Sequence, residues 1–198
     1  MRILIVGANG TIGTAVAAEL SQRHEIVTAG RSNGDLRVDI ADPQSIAKMF
    51  ERAGRLGAVA CAAGNVHFGP LESMTAEQFD VGLRDKLMGQ VNLVLTGRSS
   101  VEAGGSFTLI SGILSRDPIR LGAAASMVNG ALESFVRAAA IELGSHRINA
   151  VSPTVLEESM DAFGPYFRGF APVAVHRVAL AYSKSIEGAQ TGQVYEVD

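Results

Sequence analysis

The chain of 198 residues is 47% hydrophobic and 19% charged, which excludes a disordered or coiled-coil polypeptide and fits a single packed domain over 1–198. A formal net charge of −3 with no Lys/Arg cluster excludes the basic footprint of a nucleic-acid-binding protein, and the lone cysteine, Cys61, excludes an intrachain disulfide. No stretch approaches the roughly 18 apolar residues of a membrane span, and the apolar run after Met1-Arg2 is too short for a signal peptide, so a soluble cytoplasmic protein with no membrane partner is expected.

In chain order, RILIV (2–6) predicts a first strand, and Gly7, Gly10 and Gly13 then open a helix over 11–22. A second strand follows at 25–29 and a short third at 36–38. Asp42-Pro43 supplies an N-cap and a first-turn proline for a helix over 43–53. The apolar run at 57–62 predicts a fourth strand and places Cys61 in the core. Thr75, with Glu77 and Gln78, caps one long helix over 75–97. A strand at 106–110, an alanine-rich helix at 122–144, a strand at 147–151, a helix at 174–186 and a strand at 193–197 complete the series. Strands that alternate with helical segments predict a parallel sheet, and nearly continuous apolar strands require helices on both faces. The expected fold is α/β, a Rossmann-like, doubly wound sheet of seven strands. Segment 155–173, with two prolines and four aromatics, reads either as a short lid over a pocket or as a loop packed by its own rings.

The first strand–helix junction carries the chemistry. Glycines let the backbone turn sharply and approach a pyrophosphate, whose charge the free N–H groups of the helix N-terminus attract. The second strand ends in Ala29-Gly30-Arg31-Ser32, where an NAD-binding chain would offer a carboxylate to the ribose 2′-hydroxyl. An arginine and a serine instead suit a 2′-phosphate, so NADP(H) is the expected cofactor.

Together these segments resemble the short-chain dehydrogenase/reductase family along nearly the whole chain. Gly7-Ala8-Asn9-Gly10-Thr11-Ile12-Gly13 is similar to its glycine turn, with Thr11 where the usual middle glycine stands. Val38-Asp39-Ile40 resembles the acidic site at the adenine, and Cys61-Ala62-Ala63-Gly64 resembles its N-N-A-G stretch. Arg147 to Pro153 resembles R-V-N-x-V-x-P, and Thr191-Gly192-Gln193 its T-G-Q. The resemblance implies cofactor contacts at Gly7, Asn9, Gly10, Thr11, Ile12 and Gly13. It implies further contacts at Arg31, Ser32, Asp39 and Ile40, at Ala62, Ala63 and Gly64, and at Asn129, Pro153 and Val155.

The family's proton-transfer residues do not carry over. Ala125 stands at the tyrosine position, Asn129 at the lysine position, Gly112 at the serine position and Lys86 at the supporting asparagine. Ser111 is one residue short of the serine site, and Ser115 lies just beyond it. Tyr166 in the lid segment is a substitute acid only if closure brings it to the pocket. His67 follows the fourth strand, and no metal-ligand spacing links it to His24, His146 or His176. The catalytic candidates are therefore Ser111, Lys86 and Tyr166. Two functions stay open: an NADP(H)-dependent oxidoreductase acting on a small carbonyl or alcohol substrate with a degenerate tetrad, or a non-catalytic NADP(H)-binding sensor or scaffold. The resemblance also implies a homodimer or homotetramer paired through helices 75–97 and 122–144.

Overall fold

The computed structural model describes residues 1–198. Seven parallel strands form one sheet: β1 (Arg2–Val6), β2 (Glu25–Gly30), β3 (Leu36–Arg37), β4 (Leu56–Cys61), β5 (Val101–Ile110), β6 (Arg147–Pro153) and β7 (Val194–Val197). Their spatial order is β3-β2-β1-β4-β5-β6-β7, the doubly wound arrangement expected from the sequence. The order reverses between β1 and β4, where Val6 lies opposite Ala29 on one side and Cys61 on the other. The ends of β1, β2 and β4 are thus level at the crevice where such sheets bind ligands.

Alternation along β1 explains how both sheet faces are covered. Leu4 and Val6 join the apolar layer beneath α2 (Pro43–Ala53), α4 (Gly89–Gly97) and α5 (Ala123–Glu142). Ile3 and Ile5 point to the opposite layer, under α1 (Thr11–Leu20) and α7 (Val175–Glu187). Tyr182 of α7 is fully buried there and donates its hydroxyl to the Cys61 carbonyl at 2.6 Å. Burial pushes its pKa well above the ordinary phenol value, so this tyrosine ties α7 to the end of β4. Burial likewise pushes the Cys61 thiol up to about 12, the behaviour of a core residue.

The expected helix over 75–97 is three segments. Thr75 and Gln78 form a reciprocal capping box that opens α3 (Ala76–Gly82), a π-helical stretch follows at Leu83–Met88, and α4 resumes the α geometry. The wider turn is a device often found at functional sites, and here it carries Asp85 and Lys86 inward. Buried Gln90, just past it, clamps α4 to β5: its amide donates to the Ile110 carbonyl at 2.9 Å and accepts from the Ile110 N–H at 2.8 Å.

Segment 155–173 also has more structure than its composition suggests. Leu156 pairs with Val173 as an isolated bridge, and between them lie a 3₁₀ turn (Glu157–Ser159) and the short α6 (Met160–Phe163). No helix is long and apolar enough to cross a membrane.

Candidate functional site

Two adjoining hollows open at the carboxyl edge of the sheet and share Ala63 and Gly64. The smaller, about 290 Å³, is lined by Gly7, Gly30, Arg31, Ser32 and Ile40, with Asp85 across it. The larger, about 360 Å³, is lined by Ile12, Ala62, Lys86, Asn129, Pro153 and Val155, among others, with Phe163 and Phe167 above.

The glycine turn joins the two. Gly7 has φ +85°, and a side chain there would strike Ala62 and Ala63. A Cβ on Gly13 would lie 2.0 Å from the Gly7 carbonyl oxygen, so α1 can start against the turn only as glycine. Gly10 is the N-cap of α1 and supplies no side-chain hydrogen bond. The first-turn N–H groups, including those of Thr11 and Ile12, are therefore left uncapped for an anion. Asn9 reaches toward Gly30 at the end of β2.

In the smaller hollow the sequence reading needs a correction. The end of β2 carries no carboxylate of its own, yet the π-helical stretch delivers one: Arg31 Nη2 lies 3.3 Å from Asp85 and 3.9 Å from Asp39. Asp85 is buried and also accepts the backbone and side-chain N–H groups of Asn65, both at 2.9 Å. Arg31 itself stays exposed, with room to turn its remaining donors toward an incoming phosphate. Asp39 accepts the Ala41 N–H at 3.0 Å and stands at the rim.

In the larger cleft, Ala125 is buried against Ile113 and Leu114 and offers only a methyl group. A Cβ on Gly112 would face the Asn129 amide at 3.1 Å, so the position aims into the cleft but carries no hydroxyl. Asn129 donates to the Gly112 carbonyl at 3.3 Å, while its Oδ1 is buried without a partner. The Thr154 hydroxyl, also on the cleft wall, is likewise unpartnered. Buried polar atoms are nearly always paired, so these two in the cleft lining keep bonding capacity free for a ligand. Lys86 enters from the π-helical stretch and donates to the Ser111 carbonyl at 3.2 Å. Its environment is apolar, and desolvation lowers its pKa to about 8.

Of the catalytic candidates, Lys86 and Ser111 line the cleft. The Ser111 hydroxyl is turned behind it and donates to Glu133 at 2.7 Å. Ser111 and Gly112 both lie just past the end of β5 and border the cleft, and the bond to Glu133 is what turns the Ser111 hydroxyl away. Ser115 (2.7 Å) and Ser152 (3.1 Å) donate to the same carboxylate oxygen of Glu133. This buried hub fixes the loop after β5, and three serines scattered in sequence gave no local signal of it. Tyr166 is 52% exposed and lines a neighbouring hollow instead of the cleft. His67 packs beside Gly69, outside the cleft lining.

Comparison with known proteins gives a consistent picture. The family described as enoyl-(acyl carrier protein) reductase matches residues 7–191. A versicolorin reductase of Emericella nidulans is 30% identical over an alignment covering 79% of this chain and 69% of the relative. A trihydroxynaphthalene reductase of Colletotrichum orbiculare is 30% identical over 79% of this chain and 65% of its own length. Among solved structures, the protein lin1944 of Listeria innocua superposes with a TM-score of 0.99 at 49% identity, with both chains fully covered. A small-chain dehydrogenase in complex with NADPH superposes with a TM-score of 0.89 at 26% identity, over 100% of this chain and 96% of that one.

Proposed function

Since the chain belongs to the short-chain dehydrogenase/reductase family, we propose that it is an NADP(H)-dependent oxidoreductase that reduces a carbonyl compound with Lys86 in place of the absent tyrosine acid. The observation that carries this reading is the meeting, in one cleft, of the Lys86 ammonium with the unpartnered Oδ1 of Asn129. The fit to a dinucleotide rests on the close-packed glycine turn, the uncapped start of α1 and the Arg31 side chain at the neighbouring hollow. Arg31 and Ser32 would hold a 2′-phosphate, Gly7 to Gly13 the pyrophosphate, and Asp39 and Ile40 the adenine edge. Asn129 Oδ1 would accept from a ribose hydroxyl, and Ile12, Pro153 and Val155 would shape the nicotinamide end.

When bound, the cofactor supplies a hydride. Lys86 then protonates the developing alkoxide, and a positive charge in an apolar cleft stabilises that oxygen more strongly than it would in water. Relative to the family pattern, lysine and asparagine stand at each other's positions. The cleft keeps one ammonium and one amide, supplied from opposite walls. Segment 155–173, with Phe163 and Phe167 above the cleft, serves in this reading as a lid that excludes water. The reading also includes a single domain, a cytoplasmic location and a homodimer or homotetramer. Val81, Met88 and Leu95, large apolar residues left exposed between α3 and α4, support such pairing.

A second reading is favoured by Ala125 and Gly112, which bring no hydroxyl to the cleft: a non-catalytic NADP(H)-binding sensor or scaffold. Calorimetric titration with NADPH and NADH, followed by NADPH oxidation over a panel of carbonyl compounds, separates the two. Preferential NADPH binding with turnover supports the reductase. Preferential binding without turnover on any compound transfers the site to the sensor reading, and failure to bind either dinucleotide overturns both.

A further inference from the structure

The cleft continues past the Lys86 region. Phe68, Phe163 and Phe167 line it and also line a second hollow of about 320 Å³, closed by Ile119, Leu121, Ala162 and Tyr166. All seven walls of that chamber are hydrophobic residues, and Phe68, Phe163 and Tyr166 leave 42%, 45% and 52% of their surface in water. Exposed apolar residues scattered singly are ordinary, but three large aromatics around one concavity mark a binding surface. Leu121 adds a second observation. It has φ +68°, the one left-handed residue other than glycine in the chain, and its carbonyl accepts the Gly69 N–H at 3.0 Å. A branched side chain held in that region signals a conformation retained for a site.

Ile119, Leu121 and Tyr166 pass from the chamber into a broader hollow of about 610 Å³ that also contains Arg120 and Arg168. Neither makes an ion pair, an absence that six other arginines of the chain share, but of these only Arg120 and Arg168 line a hollow that adjoins the chamber. The sequence of surfaces from Lys86 outward is therefore one ammonium, an aromatic chamber, then two unpaired guanidinium groups.

We propose that the substrate is a carbonyl compound with an elongated apolar body, which occupies the aromatic chamber, and an anionic group at its far end, which pairs with Arg120 and Arg168. The proposal rests on the reductase reading for the carbonyl end and on the chamber itself for the rest. Carboxylate and phosphate both suit the guanidinium pair.

The test is calorimetric titration with octanoate, decanoate, dodecanoate, decyl phosphate and decanol, with and without NADP⁺. The Kd is expected to fall with chain length, by at most about fourfold per methylene for complete burial. Decanoate or decyl phosphate should bind about tenfold or more tightly than decanol, as expected for charge-assisted hydrogen bonds, and the tighter of the two identifies the anion. Ala162→Trp, at an exposed position, should abolish the chain-length dependence by filling the chamber. Arg120→Gln combined with Arg168→Gln should remove the preference for the anion and keep the dependence on length. Affinity that is flat with chain length, or unchanged by both variants, overturns the proposal. Chain-length-dependent binding in a protein that binds no dinucleotide upholds the chamber and defeats the reductase reading. Dinucleotide binding and carbonyl turnover with no alkanoate binding does the reverse.

Discussion

Lys86 is where chemistry and stability pull against each other. Its ammonium sits in an apolar cleft with one carbonyl partner, and removing a charge from water destabilises the folded chain. Its pKa of about 8 in the fold lies below the roughly 10.4 of a free lysine. The unfolded chain therefore binds more protons between those values, and folded stability should rise as pH increases from about 8 to about 10.4. Lys86→Met should lose that rise, melt higher than the parent at pH 7, and lower kcat by about a hundredfold or more, with the NADPH Kd nearly unchanged. Thermal melts across pH, together with turnover, check this; a Lys86→Met protein that melts lower or retains kcat contradicts the role. Parent turnover in the reducing direction should fall as pH rises through about 8, because the acid must be protonated. Arg31 makes the second prediction at this scale. Arg31→Ala should weaken NADPH by about tenfold or more, as expected for lost charge-assisted hydrogen bonds, and leave NADH little changed; equal loss for both would remove Arg31 from the 2′-phosphate site.

At the scale of elements, the strands and the glycine turn were legible because their signals are local: apolar runs, spaced glycines, a capping proline. The π-helical stretch was not. LRDKLM has no breaker residue and continues the helical pattern on both sides, so the wider turn that aims Asp85 and Lys86 inward becomes visible only once α3 and α4 pack. The Arg31–Asp85 ion pair joins residues 54 positions apart, beyond any local pattern. The fate of the Ser111 hydroxyl depends on Glu133, 22 residues further on, so the serine stood out in the sequence for a chemistry it does not present. Two glycines in helices allow a direct comparison. Gly13 abuts the Gly7 carbonyl, whereas a Cβ on Gly130 of α5 would meet nothing within 4 Å. Gly13→Ala should destabilise by about 1–3 kcal/mol through overpacking and weaken NADPH by displacing the start of α1. Gly130→Ala should stabilise by up to about 1 kcal/mol, the helix-propensity gain. Denaturant unfolding of the two variants measures both, and a neutral Gly13→Ala would mean that the turn and helix have slack.

For the whole molecule, the open question is what covers α3 to α5. Most of the apolar surface of the chain is absorbed by the two layers against the sheet, but Val81, Met88 and Leu95 between α3 and α4, and Met127 and Ile141 on α5, remain exposed, Ile141 at 85%. These side chains lie apart from the aromatic chamber, so a small-molecule ligand there would not cover them. A second copy presenting the same surface would, by a two-fold contact in which each patch meets its equivalent. The two functions of the surface then make independent predictions. Leu95→Glu, at a half-exposed position, should leave the folded monomer and its NADPH site intact while repelling the same residue of the partner. It should shift the sedimentation-equilibrium mass toward one chain, and the melting temperature should lose its dependence on protein concentration. A parent protein that already sediments as one chain, or a Leu95→Glu variant with unchanged mass, would leave these residues as ordinary solvent-facing surface and remove the oligomer from the reading.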